Sequence, residues 1–444
     1  MKVLKFGGTS VGSAGRMKSV AELINNGEPK IVVLSAMSGT TNKLVEIAEQ
    51  LYQKQTQKAV ELIETLYTNY KQVVAELYQD DKIKEQAQEL IRVHFEHIRS
   101  FTQDLFTSHE ERAILAQGEL LSTALFQLFL QEQQIESVLL PALNFMRIDA
   151  NEEPDLAYIE QHLQAELAKY PNDNLFVTQG YICRNAFGEI DNLKRGGSDY
   201  SASLIGAALN AQEIQIWTDI DGMHNNDPRV VKDTYPIAEL SFDEAAELAY
   251  FGAKILHPSS VLPAKQKNIP VRLLNTLQPE ARGTLITSKT TQGNIKAVAA
   301  KDGIVAIKIK SSRMLLAYGF LRSVFEVFER YKTPIDMITT SEVAVSLTID
   351  NTRHLTEILE ELKQFGTVEV DGDHTIVCVV GDFLEESTGS GLQVFQSLKE
   401  IPIRMISYGG SKNNISLLIN TEDKEKALVA LNEGIFSGRR PAHA

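Results

Sequence analysis

Four short apolar runs, each closing on a small polar loop, constrain this chain more than anything else in it. Residues 1–5 break at Phe6 into Gly7, Gly8, Thr9 and Ser10, and residues 31–34 end in a loop over 35–42. Residues 175–178 run into Gln179, Gly180 and Tyr181, and residues 214–218 lead into Asp219, Ile220, Asp221 and Gly222. Helix-spaced stretches lie between them, at 16–25, across 44–131, at 202–210 and at 242–251. Strands alternating with helices over about the first 290 residues require an α/β fold, a mostly parallel sheet covered by helices. Such sheets bind ligands in the loops that follow their strands.

The first of these loops suits phosphate. Backbone amides freed by Gly7 and Gly8 can approach an anion closely, and Lys5 adds a full positive charge. The lysine precedes the glycines, the reverse of a Walker A loop, and no GxGxxG follows a strand, so P-loop and Rossmann readings are disfavoured. A strand ending in a glycine turn serves plain architecture as readily as binding.

Composition narrows the ligand. A formal charge of −14 over 444 residues argues against broad nucleic-acid or anionic membrane surfaces, whose phosphates such a field repels. Small anions remain possible where lysine, arginine and helix N-termini cluster. The two cysteines, Cys183 and Cys378, indicate neither a disulfide framework nor a cysteine zinc site. No uninterrupted apolar run reaches membrane-spanning length and the N-terminus lacks a signal layout, so the cytoplasm is the expected compartment. The proline-free 44–131 stretch shows no sustained heptad and reads as packed helices.

The densest polar segment is Lys194, Arg195, Gly196, Gly197, Ser198, Asp199, Tyr200 and Ser201. Arg195 can grip a carboxylate through two hydrogen bonds, Asp199 and Glu119 can attract an ammonium, and Ser198 with the following amides can hold another acid group. Together they suit a small zwitterion. Lys5 and Lys254 can hold nucleotide phosphates, and Asp219 and Asp221 a nucleotide ribose or magnesium. Without HExxH, CxxC or EF-hand spacing, magnesium is expected to arrive with ATP. His257, before Pro258, reads as structural rather than as a base; a carboxylate acceptor is already ionised and needs none. The strand at 271–274 closes this unit, with 283–286 as its edge.

Beyond residue 289 the grammar changes. Strands at 304–309, 335–340 and 343–349 alternate with helices at 319–331 and 353–365, and a βαββα pattern then recurs. Pro334–Ile335–Asp336–Met337–Ile338–Thr339 is echoed by Pro402–Ile403–Arg404–Met405–Ile406–Ser407, and Ser346–Leu347 by Ser416–Leu417, two residues out of phase. A further strand at 295–300 suggests that the second copy borrows it and nests the first. The expected division is 1–290, then 304–372, then 295–301 with 373–438.

Taken as a set, KFGGTSVG at 5–12, GGSDYSA at 196–202, WTDIDG at 217–222, DPR at 227–229 and FGAKILHP at 251–258 resemble the aspartate kinases. The resemblance spans the chain and is nearest the monofunctional, lysine-inhibited branch; no room is expected after residue 440 for a fused homoserine dehydrogenase. It implies an amino-acid-kinase three-layer sandwich followed by two intertwined ACT domains. It also implies phosphorylation of the L-aspartate side chain by ATP with magnesium, and a homodimer or dimer of dimers formed through the ACT domains. By motif match, Lys5, Gly7, Gly8 and Lys254 handle phosphate, with Lys5, Asp199 and Lys254 catalytic. Ser35, Thr41, Glu119, Arg195, Gly196, Ser198 and Asp199 form the aspartate pocket, and Thr218, Asp219, His224 and Arg229 contact the nucleotide. His224 stands where lysine-sensitive relatives carry tyrosine.

The first ACT copy resembles a lysine site at Met314, Gly319, Phe320, Leu321, Ile335, Asp336, Ser341 and Glu342. Leu316 and Ala317 replace a polar pair there, removing one or two effector hydrogen bonds worth about 0.5–1.5 kcal/mol each. Asp336 and Glu342 favour a basic effector over threonine. Kinases of the same fold acting on glutamate, acetylglutamate or UMP, and a ligand sensor with an inactive kinase half, are the alternatives; the first lack the ACT pair, the second would lack Lys5, Arg195, Asp199 or Lys254.

Overall fold

The computed structural model describes residues 1–103, 105–193, 196–252, 256–288, 295–311, 318–383 and 389–437. The chain forms two compact units: residues 1–223, 238–242 and 255–289 make the first, and residues 224–237, 243–254 and 290–444 the second.

The first unit opens with β1 (Lys2–Phe6), α1 (Ala14–Ile24) and β2 (Lys30–Leu34). Four helices follow where the sequence shows one long helical stretch: α2 (Thr40–Tyr52), α3 (Thr56–Leu77), α4 (Asp81–Ser100) and α5 (Ser108–Glu132). Then come β3 (Val138–Leu140), α6 (Leu156–Leu167), β4 (Leu175–Gln179) and a hairpin without sequence forewarning, β5 (Ile182–Arg184) and β6 (Ile190–Asn192). The unit continues with α7 (Gly197–Leu209), β7 (Ile214–Thr218) and β8 (Glu239–Ser241). Helix α8 (Phe242–Phe251) starts in this unit and continues into the second. After it come α9 (Leu262–Lys267), β9 (Val271–Asn275) and β10 (Thr284–Thr287).

The sheet order is β3-β4-β2-β1-β7-β9-β10-β8, parallel except where β10 meets β9. The expected edge at 283–286 is therefore covered: β8 pairs beyond it through Leu240 and Ile286. Only three residues long, β8 is too short to show a period. Alternation along β1 sends Leu4 and Phe6 into the core built with α1–α5, and turns Val3 and Lys5 to the other face. Because β2 lies on one side of β1 and β7 on the other, the chain reverses direction across the sheet at β1, and its C-terminal end is the topological switch point.

Two kinds of helix start bear on the site. Asp80 and Asp155 cap α4 and α6 through their carboxylates, and Thr107 with Glu110 forms a capping box on α5. Helices α2 and α7 begin instead at Gly39 and Gly196, with φ of 79° and 78°, which glycine adopts freely, and their N-cap residues supply no side-chain bond to the first turn. Helix α7 starts at Gly197, well before the 202 read from spacing, so Ser198 and Asp199 occupy its first turn. Helix α5 is long and apolar enough to cross a membrane, but most of its most apolar stretch is buried, as in the core helix of a folded domain.

In the second unit, one bent strand β11 (Ile295–Lys310) replaces the two expected at 295–300 and 304–309. It precedes α10 (Phe320–Arg330), β12 (Ile338–Thr340), β13 (Ala344–Ile349), α11 (Leu355–Leu362) and β14 (Thr367–Gly381). The unit ends with α12 (Ser390–Ser397), β15 (Met405–Tyr408), β16 (Asn414–Asn420) and α13 (Lys424–Leu431). The sheet order is β12-β13-β11-β14-β16-β15. The first half of β11 pairs with the second half of β14, and the second half with the first, across bulges at 301–306. Strand β12 starts at Ile338 rather than 335, because Thr348 takes the Met337 amide on its hydroxyl.

The repeat extends to register. Thr339 faces Ser346 and Ile338 faces Leu347; in the second copy Ser407 faces Ser416 and Ile406 faces Leu417. The two-residue offset is absorbed in the turn before the last strand. Each copy's first helix starts on a left-handed glycine, Gly319 with φ 84° and Gly389 with φ 96°.

Candidate active site

Glycine brings the first two loops together. The Gly7 amide donates to the Trp217 carbonyl at 3.2 Å, and the Ser38 amide donates to the Gly8 carbonyl at 3.1 Å. A Cβ on Gly8 would lie 2.9 Å from the Ala36 carbonyl oxygen, so only glycine permits this approach. Ser10, fully buried, fixes the far end of the loop through a 2.7 Å hydroxyl contact with Thr276.

Lys5 turns back over Gly7 and forms an ion pair with Asp199, Nζ to Oδ1 2.6 Å, with only 12% and 15% of the two side chains exposed. The Ser35 hydroxyl donates to Ser198 at 2.8 Å. From α5, Glu119 accepts the Ala36 amide on Oε1 at 3.1 Å, while its buried Oε2 has no hydrogen-bond partner among the described residues. Burial pushes this carboxyl up to about 7, against the Ala36 bond. Gly118 lets α5 approach, since a Cβ there would lie 2.8 Å from that of Ala36. Thr41 is the second residue of α2, half-buried. Gly196, left-handed, packs on Ser260.

Lys5, Gly7, Gly8, Ser35, Glu119, Gly196, Ser198 and Asp199 thus converge at the switch point, from segments up to about 190 residues apart. Thr218 ends β7, the strand beside β1, and Asp219 follows it, with the threonine hydroxyl donating to the Asp219 carboxylate at 3.1 Å. Arg195 and Lys254 lie outside the described residues. His224 and Arg229 belong to the second unit. There His224 contacts the Thr234 hydroxyl through Nδ1 at 2.9 Å, and the Arg229 guanidinium forks onto Asp227 at 2.9 and 2.7 Å. His257 caps the turn that follows it, its Nδ1 facing the Ser259 hydroxyl at 2.6 Å.

Residues 180 and 181, read from the sequence only as part of a loop after a strand, hold the start of α7. Tyr181 holds a φ of 66°, costly for a side chain, and its amide donates to the Ser201 hydroxyl on α7 at 2.8 Å. A Cβ on Gly180 would lie 2.4 Å from both Cβ and Oγ of Ser198. The available signal was a glycine directly after an apolar run. Gly180→Ala is expected to cost about 1–3 kcal/mol in denaturant unfolding, because backbone of α7 must move; unchanged stability would mean that Ser198 is not held there.

In the second unit the residues resembling an effector site divide. Gly319 caps α10, Phe320 packs edge-on to Phe365, Leu321 is exposed, and Ile335 joins the core under α10 and α11. Ser341 helps line an open cavity of about 510 Å³ with Lys308, Lys310, Thr339 and Thr340. Glu342 is exposed. Asp336 does not line that cavity; it is held against Lys301 and Tyr250. Met314, Leu316 and Ala317 lie outside the described residues.

A lysine and two helix N-termini started by glycine beside the switch point of a parallel sheet define the class, an α/β enzyme built to handle anions. Residues 1–275 match the amino acid kinase family and residues 377–434 the ACT domain. Lysine-sensitive aspartokinase 3 of Escherichia coli K12 is 35% identical over 98% of this chain and 99% of its own length. The crystal structure of E. coli aspartokinase III with aspartate and ADP, its R-state, superposes with a TM-score of 0.85 at 34% identity, covering 98% of this chain and 100% of that one. The T-state with lysine and aspartate gives 0.81 at 34%, covering 98% and 99%. The chain belongs to the aspartokinases, within the amino acid kinase family.

Proposed function

We propose that the first unit transfers the terminal phosphoryl group of ATP to the side-chain carboxylate of L-aspartate, giving 4-phospho-L-aspartate, the entry to lysine, threonine and methionine synthesis. The observation that carries this reading is the buried Lys5–Asp199 pair, with Asp199 in the first turn of α7, a helix that starts on the left-handed Gly196. Lys5 with the Gly8 amide neutralises charge on the phosphates, and Lys254 adds a second cation; the Gly7 amide, expected to face the anion, is spent on the Trp217 carbonyl and fixes the turn instead. Asp199 holds Lys5 in position. Ser35, Thr41, Arg195, Gly196 and Ser198 hold the amino acid, with Glu119 on its ammonium, and Thr218 and Asp219 lie toward the nucleotide. Magnesium enters with ATP and offsets phosphate charge. The acceptor carboxylate is ionised at neutral pH, so no base is assigned.

The test is ADP release dependent on ATP, magnesium and L-aspartate, with the acyl phosphate trapped as a hydroxamate. Absence of both in folded protein would overturn the reading, and a panel with glutamate, acetylglutamate and UMP separates it from other kinases of this fold. Residues 304–372 and 295–301 with 373–438 are proposed as nested ACT domains after a kinase domain over 1–290. They pair chains into a cytoplasmic homodimer or dimer of dimers and bind lysine as inhibitor. Turnover against lysine, threonine and methionine, singly and in pairs, tests that regulation.

Glu119 provides a pH test. The folded chain keeps this proton up to about pH 7, whereas the unfolded chain releases it near 4.5. Between these values the folded state binds the extra proton, so the stability contributed by the neutral carboxyl is complete below 4.5 and lost as pH rises through 7. The loss amounts to roughly 3 kcal/mol. Glu119→Gln is expected to flatten that part of the stability profile. The Michaelis constant for aspartate should rise below pH 7 in the wild type, since the ammonium must displace the proton, and should lose that dependence in the variant.

A further inference from the structure

Strand β11 bends at a bulge between Lys301 and Ile304, with Gly303 at φ 77°. Its two central charges diverge there. Asp302 accepts the Thr375 hydroxyl at 2.8 Å and pairs with Lys424 at 2.6 Å. Lys301 goes the other way into a cage open on its Asp350 and Tyr250 sides: its Nζ lies 2.8 Å from Asp336 Oδ1, 2.8 Å from Asp350 Oδ2 and 4.2 Å from the centre of the Tyr250 ring. The Tyr250 hydroxyl donates to the same Asp336 Oδ1 at 2.6 Å. The Asp336 side chain is only 1% exposed, and its Oδ2 has no hydrogen-bond partner among the described residues.

Three ammonium protons face two carboxylates and an aromatic ring, which satisfies Lys301 fully. Burial alone would depress its ammonium, but the hydrogen bonds to Asp336 and Asp350 outweigh this and hold it above its ordinary value. Burial and the Asp336 bond push the Tyr250 hydroxyl up to about 12, so it stays a donor at neutral pH. The cage holds one cation against two anions, and the carboxylate expected to meet a basic effector is already half spent on the chain itself.

We propose that Lys301 is a tethered occupant of Asp336, so that a free basic amino acid competes with the chain's own ammonium, and Lys301 with Tyr250 sets the affinity of the effector site. The inference rests on the reading of Asp336 as an effector residue. Removing Lys301 leaves two carboxylates open to an external ammonium; removing the Tyr250 hydroxyl frees one acceptor position on Oδ1.

The test is calorimetric titration of L-lysine onto the full chain and onto Lys301→Met, Lys301→Arg, Tyr250→Phe and Asp336→Asn. Lys301→Met is expected to bind lysine at least tenfold tighter than wild type and Tyr250→Phe about threefold tighter. Lys301→Arg, which restores the cation, should stay near wild type. Binding lost in Asp336→Asn but unchanged in both Lys301→Met and Tyr250→Phe would overturn the proposal and leave the effector reading standing. Binding unaffected by Asp336→Asn, or absent from wild type and every variant, would overturn both. If Lys301→Met does not fold, an unchanged affinity in Tyr250→Phe alone overturns the proposal.

Discussion

Lys5→Ala is expected to lower turnover at least about a hundredfold, on the scale of removing one positioned charge from a transition state. The ammonium is nearly enclosed and aimed over the Gly7 turn by its 2.6 Å contact with Asp199, so water cannot replace it in the same place. A hundredfold corresponds to about 2.7 kcal/mol of barrier. Because phosphate charge is greatest during transfer, the loss should fall mainly on kcat rather than on the Michaelis constant for ATP. Lys5→Arg keeps the charge, but its planar fork does not fit where a point charge sits against a glycine turn, and about a tenfold loss is expected. Initial rates of ADP release, on variants whose folding is checked by circular dichroism, decide the matter. Near wild-type kcat for Lys5→Ala would remove the residue from the mechanism.

Asp199→Ala is expected to cost a similar factor by another route. The carboxylate stands in the first turn of α7, where the helix dipole favours an acid, and it is the anchor that keeps Lys5 folded back. Without it the ammonium is free to move away from the phosphate position. Asp199→Asn retains the shape and a weak hydrogen bond and should recover part of the rate. The diagnostic is the double variant. If the two residues act as one unit, Lys5→Ala with Asp199→Ala will be about as slow as the worse single change, rather than slower by the product. Multiplicative losses would assign them separate tasks.

Much of this was legible in local spacing. The apolar runs that became β1, β2, β4 and β7 end within a residue of where the pattern places them, because burial on both faces leaves little choice of residue. The ACT repeat was legible because two short segments, 334–339 and 402–407, echo each other residue by residue, down to the register of Ser346 and Ser416. What escaped had no local signature. Strand β8 is held by β10 rather than by its own three residues, and the helix start at Gly197 is hidden by glycine and serine, which favour no element. Lys301 reads as an ordinary strand lysine until the bulge turns it into a cage whose other members lie 35, 49 and 51 positions away.

The sequence by itself determined the class of fold, the glycine turn after the first strand and a second unit with an internal repeat, since each depends on residues close together along the chain. Only the tertiary structure decided that β1 stands at the switch point, that Asp199 rather than solvent faces Lys5, that Ser35 meets Ser198 and that Glu119 is buried with one oxygen left without a partner among the described residues. These follow from strand order. Strand order minimises the free energy of a whole sheet and its covering helices, and no short window of sequence contains that sum.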